Sequence, residues 1–211
     1  MTLTEIGVAH QITDAKTLEA IYGLPSKSSI KKEVNYIHPY YKALVEVSPF
    51  AVLATNGPDG LDASPRGDQA GFVHVYDDKT LLLPDRRGNN RIDSLRNIIH
   101  DPRVALIFLI PGVGETLRVN GKAKITTDPG LMQRFVVNGK APLSVLTIKV
   151  ERVFFQCSRA VVRSQLWDSD LHIDRSSLPS TGAILEALSH AEIDGAAYDA
   201  DLPERVMRTL Y

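Results

Sequence analysis

The feature that most constrains the fold is a series of short apolar segments separated by turn residues, which begins at Ser48 and ends near Gln156. Within residues 117–125, apolar or small side chains occupy every second position, and arginine, asparagine or lysine fills the positions between. Residues 146–151 alternate in the same way. A period of two places successive side chains on opposite faces of a β-strand. This region is therefore predicted to form amphipathic strands with one face in a core.

Turn sequences between these segments predict how the strands connect. Asn56-Gly57-Pro58-Asp59-Gly60 separates the segments 50–55 and 61–64, and these residue types favour a tight hairpin turn. Further strands are predicted at 72–76, 80–83, 104–110, 117–126 and 143–156. So many short strands favour an antiparallel barrel over a helical domain. The predicted fold class is mainly β with flanking helices (α+β).

Length and composition favour a single compact domain. The chain has 211 residues, of which 44% are hydrophobic, and this is enough to bury a core without cross-links. We expect one domain over 1–211, consisting of a helical N-terminal cover at 1–47, a barrel core with inserted helices at 48–157 and a helical segment at 158–211. Short helices are predicted within the last part at 182–190 and 203–210.

Helix-start signals predict where the other helices begin. Asp14 or Thr13 is expected to cap one helix of the cover, and Pro39 to begin another. Between the strands, one helix is predicted at 90–100 and a second is predicted to begin at Asp128, where a capping residue precedes a proline.

The charge balance excludes several classes of partner. Lysine and arginine number 24 against 25 acidic residues, so no global field attracts nucleic acid or an anionic membrane. The longest apolar run, 104–110, is far shorter than the roughly 20 residues that span a bilayer. The first residues lack the pattern of a secretory signal, and the lone Cys157 cannot form an internal disulfide. We therefore expect a cytoplasmic protein.

The segment 84–95 is the most informative candidate site, because it joins the strand at 80–83 to a predicted helix. Unpaired backbone N–H groups and the positive end of the helix dipole can bind an anion at such a position. Arg91 is predicted in the first helical turn, where it could clamp phosphate oxygens, while Asn89 and Asn90 donate neutral hydrogen bonds. An asparagine-capped helix with solvent-exposed arginines is an equally weighted alternative.

A second basic cluster lies at 63–68, where the hairpin's second strand ends. Antiparallel pairing is predicted to bring Arg66 close to the Asn-Asn-Arg turn, so that two arginines meet one phosphate. The alternative is that Pro65 merely interrupts an edge strand. Arg118 is a further candidate on its own strand, although such a residue more often simply faces solvent.

The segment that follows the last predicted strand contains Trp167, the only tryptophan, close to Arg163 and Ser164. A planar apolar ring beside polar groups suits a flat cofactor. The alternative, favoured for the tryptophan taken alone, is that the ring fills the barrel end or a dimer interface. The six histidines form no close ligand pair and the cysteine is single, so no metal site is predicted.

Taken in order, these segments resemble a bacterial branch of the pyridoxamine 5′-phosphate oxidase-like FMN-binding proteins over roughly residues 40–170. The segments that carry the resemblance are SPF at 48–50, ASPRGD at 63–68, PDRRGNNR at 84–91, LRVNG at 117–121 and RSQLW at 163–167. The Gly-Asn-Asn-Arg turn is the most specific of them. The resemblance implies an antiparallel FMN-binding split β-barrel.

The resemblance also implies cofactor contacts. The residues expected to hold the FMN phosphate are Ser64, Arg66, Asn89, Asn90 and Arg91. Main-chain atoms near Pro84 and Asp85 are expected along the ribityl chain or the ring. Because members of this family bind flavin at a dimer interface, a homodimer is expected. The residues expected to reach the flavin partly from the partner subunit are Arg118, Arg163, Ser164 and Trp167.

The resemblance does not extend to the substrate of the true oxidases. Those enzymes have an Arg-x-His-Asp-Arg type motif late in the chain, whereas residues 171–175, LHIDR, contain an inserted residue and lack the leading arginine. The favoured hypothesis is an FMN-dependent oxidoreductase that takes hydride from a reduced nicotinamide or another donor, with no catalytic acid or base that can be named. The alternatives are a non-enzymatic flavin carrier or sensor, and a split barrel that binds haem or a deazaflavin.

Overall fold

A seven-stranded antiparallel sheet is the central feature of the fold. Its strands are β1 (Phe50–Gly57), β2 (Gly60–Gly67), β3 (His74–Asp77), β4 (Thr80–Asp85), β5 (Arg103–Leu109), β6 (Thr116–Thr126) and β7 (Ser144–Gln156). They follow the order β2-β1-β5-β6-β7-β4-β3, so that the hairpins β1–β2 and β3–β4 lie at opposite edges. The sheet confirms the predicted fold class, which is mainly β with flanking helices.

The structure is a computed structural model that describes residues 10–211. Its helices are α1 (Ala15–Tyr22), α2 (Lys27–Lys31), α3 (Pro39–Val47), α4 (Asp93–His100), α5 (Pro129–Gln133), α6 (Arg159–Ser164), α7 (Thr181–Leu188) and α8 (Gly195–Thr209). None of the helices in this described part is both long and apolar enough to cross a membrane.

The chain consists of two compact units that meet in sequence between Glu33 and Val34. The first unit contains α1, which begins where Asp14 Oδ1 accepts a hydrogen bond from the Thr17 N–H over 2.9 Å, as predicted. The second unit begins ahead of α3, which starts at Pro39 as predicted. The predicted single domain stays a prediction, and the part of the helical cover at 1–9 lies outside the described residues.

The predicted alternation of β6 is present in its burial. Leu117, Val119 and Ala123 are buried, while Arg118 and Lys122 between them are exposed. The buried side chains join a single hydrophobic cluster with residues of the other strands and with α3 and α4. The free energy of this apolar burial is what holds the sheet in shape and fixes the strand ends that carry polar side chains.

Gly121 is required by the close approach of β6 and β7, whose register shifts between Asn120 and Gly121. A Cβ atom at this position would lie 2.3 Å from the carbonyl oxygen of Lys149, a backbone atom that cannot rotate away. We expect Gly121→Ala to lower the free energy of unfolding by roughly 1–3 kcal/mol, as measured by urea denaturation. The control is Gly88→Ala, because a Cβ there meets nothing within 4 Å. Equal stability of the two variants would contradict the prediction.

Candidate cofactor site

A cavity of about 620 Å³, here called the cofactor cavity, lies where β2 and β4 end. One wall is the segment 65–68 at the end of β2, a second is the turn that follows β4, and a third is the end of α8 with Tyr211. The volume falls within the range of about 300–1,000 Å³ that is typical of sites for small molecules and cofactors. Three distant parts of the chain therefore converge on a space large enough for a cofactor.

An ion pair between Arg66 and Asp85 joins the two strand ends at this cavity. Arg66 Nη1 donates to Asp85 Oδ1 over 2.6 Å, and the two side chains are only 19% and 13% exposed. The Nε of Arg66 is buried without a hydrogen-bond partner among the described residues. The ion pair holds the guanidinium in place. Because buried donors in proteins are nearly always paired, the unpaired Nε–H suits a ligand that accepts a hydrogen bond.

A second ion pair lies beside the first. Arg86 Nε and the Tyr211 hydroxyl each donate to Asp68, over 2.6 Å in both cases. The Arg86 guanidinium also lies 5.2 Å from the centre of the Tyr211 ring. Burial tends to raise the pKa of Asp68, but hydrogen bonds from Tyr211, the Gln69 N–H and Arg86 outweigh it and lower the pKa below its ordinary value. Asp68 is therefore ionised at neutral pH, and the end of α8 is fixed at the cavity.

The turn that contains Arg91 differs from the prediction. Helix α4 begins at Asp93 rather than at residue 90, so Arg91 is not in the first helical turn. The physical reason is local: Asn89 Oδ1 accepts from the Arg91 N–H over 3.0 Å, and Asn90 has a left-handed φ of 61°. The hydrogen bond pairs the Arg91 N–H outside the helix, and the left-handed Asn90 interrupts helical geometry before Asp93. The Arg91 side chain is 78% exposed and pairs with Asp93 at 2.9 Å.

Two of the predicted phosphate ligands, Arg66 and Asn89, line the same cavity. Ser64 lies two residues before Arg66 on the same half-buried face of β2. Asn90 and Arg91 belong to the adjacent turn but are not among the residues that form the cavity wall. The structure thus brings the two predicted clusters to one cavity, and the residue of the Asn-Asn-Arg turn that lines this cavity is Asn89, not Arg91.

The residues predicted from the later part of the chain lie elsewhere on the protomer. Arg118 is exposed on β6, where its guanidinium is 5.7 Å from the centre of the Phe154 ring. Arg163 and Ser164 are exposed on α6. Trp167 Nε1 donates to the Val113 carbonyl over 2.8 Å. None of these four lines the cofactor cavity of the described chain, and their contribution from a partner subunit stays a prediction.

Helix α8 contributes a wall that the sequence analysis did not identify. Its position depends on close packing against α7: the Gly182 N–H donates to Asp199 over 2.7 Å, and a Cβ on Gly182 would lie 2.0 Å from the Gly195 carbonyl oxygen. Arg205 on α8 lines the cavity, and its Nη2 is buried and unpartnered among the described residues. The helical spacing of Arg205 and Thr209 is the sequence signal that could have indicated a shared face.

Within the described residues, no group of three or more histidine, cysteine, aspartate or glutamate side chains could hold a metal ion. The polar side chains around the cavity are guanidinium, amide and hydroxyl groups, with one carboxylate, that of Asp68. Guanidinium, amide and hydroxyl groups bind phosphate and carboxylate oxygens.

A protein-family model described as pyridoxamine 5′-phosphate oxidase matches residues 37–157. Because the match spans more than half of the chain, the protein belongs to this family. The antiparallel sheet with flanking helices is accordingly the split β-barrel that the resemblance implied. The matched region contains all seven strands and α4, whereas α7 and α8 lie outside it.

Several solved structures are similar to this chain. HupZ of Group A Streptococcus is 24% identical, with 58% of this chain and 95% of HupZ covered and a TM-score of 0.48. General Stress Protein 26 of Bacillus anthracis is 18% identical, with 54% and 88% covered and a TM-score of 0.41. The FAD binding protein of Mycobacterium smegmatis is 11% identical, with 57% and 95% covered and a TM-score of 0.39. No curated protein sequence matches the chain significantly.

Proposed function

We propose that the protein binds FMN in the cofactor cavity and is an FMN-dependent oxidoreductase. The observation that carries the proposal is the unpartnered buried Nε of Arg66 at a cavity of about 620 Å³. A phosphate monoester is a suitable partner for this donor, because a charge near −2 binds most strongly to a guanidinium that its surroundings already orient. Family membership supports the same cofactor class.

The residues around the cavity fit the different parts of FMN. Arg66 would bind the phosphate together with Asn89, whose Oδ1 is used by the Arg91 N–H and whose amide Nδ2 group can donate to a ligand. Ser64, Asn90 and Arg91 would complete the phosphate site from the adjacent strand and turn. Apolar surface for the ring system is present on Pro65, Phe72, Pro84, Val206 and Leu210.

The charge around the cavity also suits an anionic cofactor. The cavity wall contains four arginines and one aspartate, and two of the arginines are paired with Asp85 and Asp201 beside it. Among these side chains, the positive charges therefore outnumber the negative charges by one. When bound, the flavin supplies the hydride and electron chemistry, while this chain's residues hold it, orient it and exclude water from its ring.

A homodimer in the cytoplasm is part of the same proposal. Helix α6 presents Arg163 and Ser164 next to the exposed side chains of Val162 and Leu166. An exposed apolar surface beside predicted flavin ligands is what a partner subunit would cover. In such a dimer, Arg118 and Trp167 would also approach the flavin of the partner. Without an internal disulfide, the chain suits a reducing compartment.

The proposal is tested by the absorbance spectrum of the purified protein, mass identification of any released cofactor, and anaerobic addition of NADH or NADPH. We expect a flavin spectrum, released FMN and bleaching by one of the two nicotinamides. FMN that is bound but reduced by neither nicotinamide, nor by other donors, would favour a carrier over an enzyme. A haem spectrum, or failure to bind added FMN, would overturn the assignment of the cofactor.

A further inference from the structure

Helices α7 and α8 form a hairpin that buries little apolar surface against the barrel. Of the described residues, none from these two helices joins the hydrophobic cluster of the barrel. Their buried residues are the glycines Gly182 and Gly195, which pack closely against each other. Because glycine has no side chain to bury, this packing adds little hydrophobic free energy. The position of α8 at the cofactor cavity therefore depends on contacts made at the cavity, such as the hydrogen bond from Tyr211 to Asp68.

Arg205 is oriented towards this cavity by its own helix. Its Nη1 donates to Asp201 one turn earlier over 2.9 Å, and its guanidinium lies 4.2 Å from the centre of the Tyr198 ring two turns earlier. Residues at this spacing share one face of a helix. The Nη2 of Arg205 is buried without a hydrogen-bond partner among the described residues. The guanidinium is therefore held in place with one donor left unpaired.

The face of α8 that lines the cavity is amphipathic. Arg205 and Thr209, four residues apart, form a polar row, and Val206 and Leu210 form an apolar row directly beside it. A flavin combines an apolar ring system with carbonyl, hydroxyl and phosphate oxygens that accept hydrogen bonds. This wall therefore suits a ligand in which an apolar surface and oxygen acceptors lie side by side.

We propose that Arg205 is a cofactor-binding residue that α8 adds to the barrel, and that its unpaired donor binds an oxygen of the flavin. The inference rests on the proposed function, because it names a contact between this chain and FMN. Arg66 and Asn89 lie within residues 37–157, which the family model matches, whereas Arg205 lies outside them. The flavin is then held between the barrel and α8, so FMN binding and docking of α8 favour each other.

The test measures the dissociation constants of FMN, and of riboflavin, which lacks the phosphate, by fluorescence titration. The informative variant is Arg205→Met, which removes the charge and the donors but keeps an unbranched side chain. The matched control is Arg208→Met, because that arginine lies on the same helix, is 64% exposed, pairs with Glu204 one turn earlier and does not line the cofactor cavity. We expect Arg205→Met to weaken FMN binding by about tenfold, and the control to change it by less than about twofold.

The two flavins distinguish the oxygen that Arg205 binds. A loss of affinity for FMN but not for riboflavin assigns the donor to the phosphate, equal losses assign it to the ring or the ribityl chain, and each supports the inference. Equal FMN affinity of Arg205→Met and Arg208→Met would overturn the inference while the proposed cofactor stands. If the unmodified protein binds neither flavin, the proposed function fails and the inference fails with it.

Hydrogen exchange of the backbone amides in α8 separates a contact with the cofactor from a purely structural role. In the unmodified protein, we expect saturating FMN to slow exchange in residues 198–209 by about fivefold or more. Without FMN, we expect Arg205→Met to exchange like the unmodified protein, because the pair that it loses with Asp201 is partly exposed. Saturating FMN is expected to leave exchange in this variant unchanged. Faster exchange of the variant without FMN, or full protection of it by FMN, would overturn the inference.

Discussion

Arg66→Ala is expected to weaken FMN binding by roughly 30- to 1,000-fold, or about 2–4 kcal/mol. The substitution removes the guanidinium whose buried Nε has no partner within the described chain. The dissociation constant is measured by titrating the quenching of FMN fluorescence. Arg103→Ala is the matched control, because that arginine is 70% exposed and lies on β5 away from the cavity. An unchanged dissociation constant in Arg66→Ala would remove this residue from the phosphate site.

A second variant separates loss of binding from loss of fold. Arg66→Ala leaves the Asp85 carboxylate only 13% exposed and without its ion-pair partner, which itself destabilises the chain. The double variant Arg66→Ala, Asp85→Ala removes both charges and is expected to recover part of the stability without recovering FMN affinity. Arg91→Ala is expected to have a smaller effect than Arg66→Ala, because its exposed side chain must leave Asp93 to reach the phosphate.

Asp68→Ala is expected to lower the free energy of unfolding by roughly 3–5 kcal/mol. Asp68 is 6% exposed, and its removal leaves the Arg86 guanidinium, itself 18% exposed, without a counterion. It also removes the acceptor of the Tyr211 hydroxyl. Urea denaturation measures the change. Asp93→Ala is the control, because it breaks the exposed pair with Arg91 and is expected to cost about 0–1 kcal/mol. Similar losses in both variants would contradict the assignment of Asp68 as a buried counterion.

The pH dependence of the same variant gives an independent readout. The pKa of Asp68 is lowered in the folded chain, so its stabilising effect is fully present above the ordinary carboxyl value of about 4. The effect is lost as the pH falls through the lowered folded value. The acid limb of the stability curve of Asp68→Ala is therefore expected to be shallower than that of the unmodified protein.

The strands could be predicted from the sequence because their pattern is local and regular. The alternation in β6 follows directly from a period of two, and the helix starts at Asp14 and Pro39 depend on neighbouring residues alone. The start of α4 was predicted three residues too early, at residue 90 instead of Asp93, because of another local interaction. The Asn89 side chain accepts the hydrogen bond of the Arg91 N–H, and Asn90 adopts a left-handed conformation, so residues 89–91 form a turn instead of the first turn of the helix.

The site could be predicted only in part. Its cofactor-facing segments are recognisable from local residue types, whereas its ion pairs join residues that are distant in sequence. The segments around Arg66 and Asn89 were recognised by their residue types, and the barrel brings them to one cavity. The counterions Asp68 and Asp85 could not be assigned, since nothing near them in sequence indicates which arginine they meet. The contact between Tyr211 and Asp68 spans 143 residues, and no local pattern encodes such a distance.

Strands β2 and β4 meet at the cavity without being neighbours in the order of the sheet. This seam has no ladder of backbone hydrogen bonds, and the ion pairs Arg66–Asp85 and Arg86–Asp68 connect its two sides instead. A cofactor held by both Arg66 and Asn89, as proposed, would connect the two sides of the seam non-covalently. Opening the barrel at this point would break the cofactor's contacts, and release of the cofactor would remove one connection between strands that share no backbone ladder. Binding of a cofactor in the cavity would therefore be thermodynamically linked to closure of the barrel at this seam.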